Sequence, residues 1–329
     1  MDQSSTSATN TAAAAADTGP ALAGQERWLD KLTRAEIQEL ITHRDAMSWL
    51  SIAINWGTIF GSMALVAAWP NPLTIALALL LIGTRQLGMA ILMHDAAHRA
   101  LFSNRRLNDW AGNWLCAYPV WTDVFPYRPY HLKHHAKNYT AEDPDIGLVL
   151  PFPTTRASLK RKIIRDLTGQ TGWKRVKATV KRDLGLSQGR QSRTFGGVRN
   201  LRGVTISNAV LFLVLLAAGH PLLYLLWVVA WMTTFQLVTR IRAIAEHAMA
   251  PDPADPLRNT RTTITSWWER ALIAPNGVNY HLEHHLLMTV PHYNLPRLHR
   301  MLRDRGVLDN ALIAHGYLSV LREASARPA

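Results

Sequence analysis

Four apolar runs, arranged as two pairs with a proline-marked turn inside each pair, constrain the fold of this chain more than any other feature. The first run covers about residues 46–69 and the second 73–93, divided by Pro70-Asn71-Pro72. Each is long enough to cross the roughly 30 Å hydrocarbon layer of a bilayer as a helix. A third run covers about 204–218 and a fourth 222–238, with Gly219-His220-Pro221 between them. The third is short for a span, and a snorkelling Arg202 lengthens it. The expected fold is an all-α integral membrane protein with four transmembrane helices in two hairpins.

With four spans, the N-terminal segment, residues 99–203 and residues 239–329 share one side of the membrane, and charge decides which. Residues 99–203 hold 20 Lys plus Arg against 7 Asp plus Glu, whereas the two hairpin turns hold neither. The excess of basic residues places that side in the cytoplasm, where segments 99–203 and 239–329 would form a helical cap. Within the cap, Lys160-Arg161-Lys162-Ile163-Ile164-Arg165 and Trp173-Lys174-Arg175-Val176-Lys177 have the pattern of basic amphipathic helices on anionic headgroups, or of a solvated charged face. Residues 1–26 are rich in Ala, Ser, Thr and Gly and lack the charged and apolar regions of a secretory signal. They are expected to be a disordered tail, with 27–329 as one membrane domain. Thr33 and Glu36 form a capping box that opens a helix towards the first run.

Composition excludes several functions. The net charge of +13 comes with no helix-turn-helix, zinc-finger or RNP pattern, so membrane-facing loops account for it and nucleic acid does not. A single cysteine, Cys116, excludes a disulfide framework, a zinc ribbon and a self-contained iron–sulfur centre. Electrons, where needed, must come from elsewhere.

Nine of the fourteen histidines fall into four compact groups. His94 and His98 follow the second run at a spacing that puts both imidazoles on one helix face. His131, His134 and His135 make an H-x-x-H-H box, and His281, His284 and His285 make another about 150 residues later. His247 stands alone after the fourth run. A lone histidine is ordinarily a core or surface residue. At this chain's histidine frequency, however, two H-x-x-H-H boxes arise by chance roughly once in a few thousand chains. Imidazole suits zinc, copper, iron and nickel, and nine ligands exceed what one metal takes, so two metals sharing them is the arrangement the count favours. Spacing leaves iron and zinc equally open.

The order H-x-x-x-H, H-x-x-H-H, isolated His, H-x-x-H-H, with apolar pairs between, resembles the membrane fatty acid desaturase superfamily over about residues 46–302. Local text agrees in His94-Asp95, in Asp143-Pro144-Asp145, and in Asn279-Tyr280-His281-Leu282-Glu283-His284-His285 running on to Val290-Pro291-His292-Tyr293-Asn294-Leu295-Pro296. The resemblance implies a histidine-rich dinuclear site of two iron ions in the cap. Its ligands would be His94, His98, His131, His134, His135, His247, His281, His284 and His285. O2 would be cosubstrate in the desaturation of a lipid acyl chain. For Asp95, Asp143, Asp145, Glu246 and Glu283 two readings stand: a carboxylate that orients a ligand imidazole, or a salt bridge to a nearby Lys or Arg. His292 and His299 read as structural or as supports to the ligands, while His43, His220 and His315 lie too far off.

No haem-binding His-Pro-Gly-Gly motif occurs, so the donor is expected to be a separate ferredoxin, rubredoxin or cytochrome b5 type protein drawn to the basic face. The absence of an endoplasmic-reticulum retrieval motif and the short tail point to a bacterial inner membrane. Rival readings are a hydroxylase, ketolase or oxidative demethylase on the same ligands, a membrane zinc hydrolase, and a metal transporter. The transporter needs polar ligands at mid-membrane, where these runs offer only Arg85.

Overall fold

The computed structural model describes residues 28–184, 186 and 197–327. The expected tail, 1–26, lies outside them. Among the described residues, fifteen α-helices and one two-stranded sheet follow in order. Helix α1 (Arg34–Ile41) begins at the capping box that the sequence predicts, with Thr33 and Glu36 bonded in both directions. Helices α2 (Asp45–Ala68) and α3 (Pro72–Ala97) form the first hairpin. Asn71 caps α3, its side chain accepting from the N–H groups of Leu73 and Thr74 at 3.0 and 3.1 Å, and Pro72 occupies the first position, where its missing N–H is no loss.

Short α4 (Arg105–Ala111) leads through a π-helical turn, Gly112–Ala117, to α5 (Val124–Lys137), α6 (Ile146–Val149), and the basic helices α7 (Arg156–Leu167) and α8 (Gln170–Asp183). The second hairpin comprises α9 (Gly197–Ala217) and the pair α10 (Tyr224–Met232) and α11 (Thr234–His247). Beyond it lie β1 (Thr262–Ile264), α12 (Trp267–Leu272), α13 (His281–Leu286), α14 (Leu295–Asp304), β2 (Ile313–His315) and α15 (Tyr317–Ala324). β1 and β2 pair in parallel, Thr262 opposite Ile313.

Among the described residues, three helical stretches are long and apolar enough to cross a membrane: Asp45–Ala68, Pro72–Ala97 and Pro221–His247. The expected third span falls on Leu201–Ala217, an apolar helix shorter than these. Two helices extend beyond the expected spans. The second run continues as helix to Ala97 and the fourth to His247, because both helices run past their apolar residues to carry histidines. The fourth is interrupted at Thr233, whose φ of −121° and ψ of −84° are not helical. Three elements meet at that break. The Thr234 hydroxyl donates to the Leu79 carbonyl oxygen at 2.5 Å, and a Cβ on Gly83 would stand 2.1 Å from the Thr234 Oγ1.

Lipid tails are as apolar as leucine, so burial alone does little to hold helices together inside a bilayer, and buried polar ties take on that task. Asn208 of α9 accepts from Trp227 Nε1 at 3.1 Å and from the Tyr224 hydroxyl at 3.2 Å, joining α9 to α10. Gln86 of α3 donates to the Trp227 carbonyl at 3.0 Å, and Trp56 of α2 donates to the Leu115 carbonyl at 3.0 Å. Outward faces are apolar: Val210, Leu213 and Val214 of α9 and Leu225 and Val229 of α10 are all exposed. A continuous apolar exterior of this kind suits lipid and not water.

Candidate metal centre

Four helices deliver the nine histidines. α3 carries His94 in its last turn and is capped by His98, α5 carries His131, His134 and His135, α11 ends with His247, and α13 carries His281, His284 and His285. Three of these helices are followed by a non-glycine residue in the left-handed region: Arg99 (φ 60°), Tyr139 (φ 64°) and Met249 (φ 62°). Such a conformation is unfavourable by about 1–2 kcal/mol for an L-residue. In each case it turns the chain aside just past the last imidazole. At Tyr139 it also directs the backbone N–H to Asp143 Oδ2 at 3.0 Å.

The imidazoles converge in two groups: His94, His98, His131, His135 and His284 in one, and His134, His247, His281 and His285 in the other. Within each group the nearest nitrogens all lie within 4.8 Å of one another. The division follows helical geometry. Residues i and i+4 of a box share a face and enter the same group, while the histidine at i+3 enters the other. α5 therefore sends two imidazoles to the group of five and one to the group of four, and α13 does the reverse. His94 and His98 as a pair, against His247 alone, make the difference of one.

These nitrogens suit a cation. Metal–nitrogen bonds of about 2.1 Å set neighbouring nitrogens about 3.0 Å apart at right angles and about 3.4 Å apart in a tetrahedron. The observed Nε2 separations are 3.2 Å for His134–His247, 2.8 Å for His247–His281, 3.0 Å for His131–His135 and 3.1 Å for His135–His284. Hydrogen bonding between imidazoles does not explain them. Each neutral ring carries one proton, and His134 spends its own on Asp143, so its bare Nε2 faces a nitrogen already shared with His281. Buried nitrogens of His94, His98 and His285 have no hydrogen-bond partner at all, a cost that a bound cation removes. Burial, followed by the neighbouring imidazoles, pushes the pKa of His131, His135, His284 and His285 well below the ordinary value, which keeps their lone pairs available.

The five carboxylates divide between the two readings. Asp143 accepts from His134 Nδ1 at 2.8 Å and from the N–H groups of Asp145 and Tyr139. Burial acts to raise its pKa, but those hydrogen bonds outweigh it and hold the carboxyl below the usual range. Glu246 does both jobs: it is paired with Arg242 and lies 3.5 Å from His281 Nδ1. Asp95 lies 3.5 Å from His94 Nδ1 but is held mainly by His292, at 2.8 Å, whose Nε2 accepts from Ser51 at 2.8 Å. The Glu283 side chain makes no hydrogen bond or ion pair with a candidate ligand among the described residues. It accepts from His299 Nδ1 at 2.6 Å and from the Thr262 hydroxyl, tying α13 to α14 and β1. Asp145 accepts from the Tyr130 hydroxyl at 2.5 Å and stands 3.9 Å from His134 Nδ1.

A cavity of about 400 Å³ reaches both groups, touching His94 and His284 of one and His281 of the other. Its walls include Leu87, Ile91, Trp121, Trp231, Phe235 and Tyr127. Tyr127 stacks on His131 with ring centroids 5.1 Å apart and planes 11° from parallel. Sequence reasoning missed Tyr127, although its spacing of four before His131 on a helix was the available signal. It missed Arg242 too, four before Glu246.

A family model described as fatty acid desaturase matches residues 67–316. Dihydrorhizobitoxine desaturase of Bradyrhizobium elkanii is 28% identical over 255 residues, which cover 73% of this chain and 70% of that protein. The chloroplastic omega-6 fatty acid desaturases of Brassica napus and Glycine max are each 26% identical, over 299 and 303 residues. Each match covers 81% of this chain but only 62% and 65% of the plant proteins, so the chain spans less than two thirds of their length.

Proposed function

The chain belongs to the fatty acid desaturase family, and from that premise we propose that it holds two iron ions and uses O2 to desaturate a lipid acyl chain. An oxidoreductase of desaturase type, it associates with the membrane through its apolar helices. The observation that carries the proposal is the convergence of nine imidazoles into groups of five and four, with buried nitrogens of His94, His98 and His285 left without a hydrogen-bond partner. One ion would be held by His94, His98, His131, His135 and His284 and the other by His134, His247, His281 and His285. When bound, such ions supply the reduction of O2 to an oxidant strong enough for an unactivated C–H bond.

The protein's own part is positioning and exclusion. Asp143 fixes the tautomer of His134 by accepting a hydrogen bond from its Nδ1–H, leaving Nε2 to face the site. The Ser51–His292–Asp95 chain secures the end of α3 beside His94. Trp121, Trp231 and Phe235 give the cavity an apolar wall that suits an extended acyl chain and excludes water from the reacting carbons. With the whole of 27–329 as one membrane domain, Leu201–Ala217 serves as the remaining span and gives four. The cap then faces the cytoplasm of a bacterial inner membrane, and its basic surface receives electrons from a separate acidic donor.

Elemental analysis of the purified protein, with oxygen uptake and product analysis of membrane lipids alongside, tests this reading. Close to two irons per chain and a new alkene in the lipids are expected. Stoichiometric zinc in protein prepared with iron available, or oxygen uptake that yields an alcohol, would replace it with the hydrolase or the hydroxylase.

A further inference from the structure

Four charged side chains line the cavity: Asp95, Arg175, Arg182 and Arg242. Three are engaged, Asp95 by His292, Arg182 by Asp183 and Arg242 by Glu246. Arg175 has neither a hydrogen bond nor an ion pair among the described residues. The carboxylate whose charge reaches it, Asp166, is occupied by Arg240 at 2.8 Å and by the Thr171 hydroxyl at 2.5 Å. Arg175 is exposed, and it lines the cavity. A guanidinium on the cavity wall with none of its donors engaged among the described residues is open to an anionic ligand.

Its position on α8 suits a headgroup. A Cβ on Gly172 would come within 2.5 Å of the Met232 carbonyl oxygen, so α8 is seated directly against the break in the second hairpin. The same helix exposes Trp173, with Lys177 5.7 Å above the ring, and presents Lys174 and Lys181 beside it. Aromatic and basic residues together are the marks of a helix at the membrane interface, where the polar end of an amphiphile resides. The cavity that α8 borders is lined as well by Trp121, Trp231 and Phe235 and by His94, His281 and His284.

We propose that Arg175 binds the anionic end of the substrate, a carboxylate or a phosphate, while the apolar remainder of the molecule occupies the cavity as far as the histidines. The inference rests on the reading of that cavity as the substrate channel. Guanidinium matches either anion through two parallel hydrogen bonds, and an uncharged ester forgoes the charge-assisted part of that recognition.

Binding, measured apart from turnover, tests it. Palmitic acid, hexadecyl phosphate and methyl palmitate share one length of tail and differ in the head, and each would be titrated at pH 8 into the full chain in detergent micelles. Arg175→Gln is expected to weaken one or both anions by about tenfold or more while leaving the methyl ester within about twofold. The anion that loses more identifies the head as carboxylate or phosphate. Arg175→Lys keeps the charge without the planar fork and carries the same test should the glutamine variant fail to fold: a loss of several-fold for the anions alone is expected. Equal weakening of the ester, or anion binding undiminished in both variants, overturns the proposal. A wild-type chain that selects anions through Arg175 but forms no alkene would defeat the functional reading and leave this one standing.

Discussion

Five imidazoles meet in one group and four in the other, and the two are braced by different means. In the group of four, His134 is locked by Asp143 at 2.8 Å, and His281 faces Glu246, itself gripped by Arg242. In the group of five, His94 has only a distant approach to Asp95, and neither nitrogen of His98 has a partner. Rings pack closely in both groups, His94 lying 4.4 Å from His131 in one and His247 4.6 Å from His281 in the other between centroids, but in the larger group Tyr127 also closes the stack on His131. The smaller group adds charge and hydrogen bonds to its packing, whereas the larger relies on crowding and the Tyr127 stack. Each should fail in its own way.

The largest expected effect removes a ligand. His247→Ala leaves three imidazoles in the group of four, whereas His98→Ala leaves four in the group of five. Metal per chain should fall by about half in the first variant and stay near the wild-type value in the second, while both lose more than about a hundredfold in turnover. Elemental analysis beside an activity assay reads both quantities. Equal metal loss would show the groups to be one cooperative unit and dissolve the comparison.

A smaller effect separates the braces. Asp143→Asn removes the acceptor that fixes His134, and loss of such a support weakens metal binding by about 10–100-fold. Only one ion per chain should become easy to remove by a chelator. Tyr127→Leu acts on the other group, where a stack of this kind contributes about 0.5–1.5 kcal/mol, or roughly two- to tenfold in affinity. Tyr127→Phe keeps the ring and should change little. If Asp143→Asn released both ions equally, the distinction between charge and crowding would not survive.

How much of this was readable beforehand follows from what acts locally. The spacing of four between His94 and His98, and within each H-x-x-H-H box, fixes which imidazoles share a face, and that periodicity is a property of the helix alone. Apolar run length located three helices long enough to cross a membrane, but not how far two of them run on past Met93 and Val238, since hydropathy ends with the apolar residues while the helix continues towards its last histidine. Of the carboxylates, Asp143 was legible because it folds back on His134 from nine residues away. Glu283 was not, because its partner His299 belongs to α14 and only tertiary packing brings the two together. Arg175 was read as part of a basic face. Its place on the cavity wall depends on α8 reaching α10 across Gly172, a contact that no local pattern announces.

The smallest effect lies outside both groups and serves as their control. Glu36 is held down from its ordinary 4.5 to about 2, chiefly by the hydrogen bonds it accepts from Arg305 and then by the Thr33 backbone N–H. Because the folded value is the lower one, the stability it contributes is complete above about pH 4.5 and is lost as pH falls towards 2. Glu36→Gln should therefore flatten that part of the acid dependence of the melting temperature while lowering the temperature itself only slightly at neutral pH, as an exposed pair contributes little. Arg305 directly follows α14, whose His299 holds Glu283 and hence α13, so the clamp is connected to both groups through one helix. If metal content at neutral pH fell in Glu36→Gln, support from this distant clamp would have to be added to the charge that braces one group and the crowding that braces the other. Unchanged metal would confine the bracing to the residues around the imidazoles.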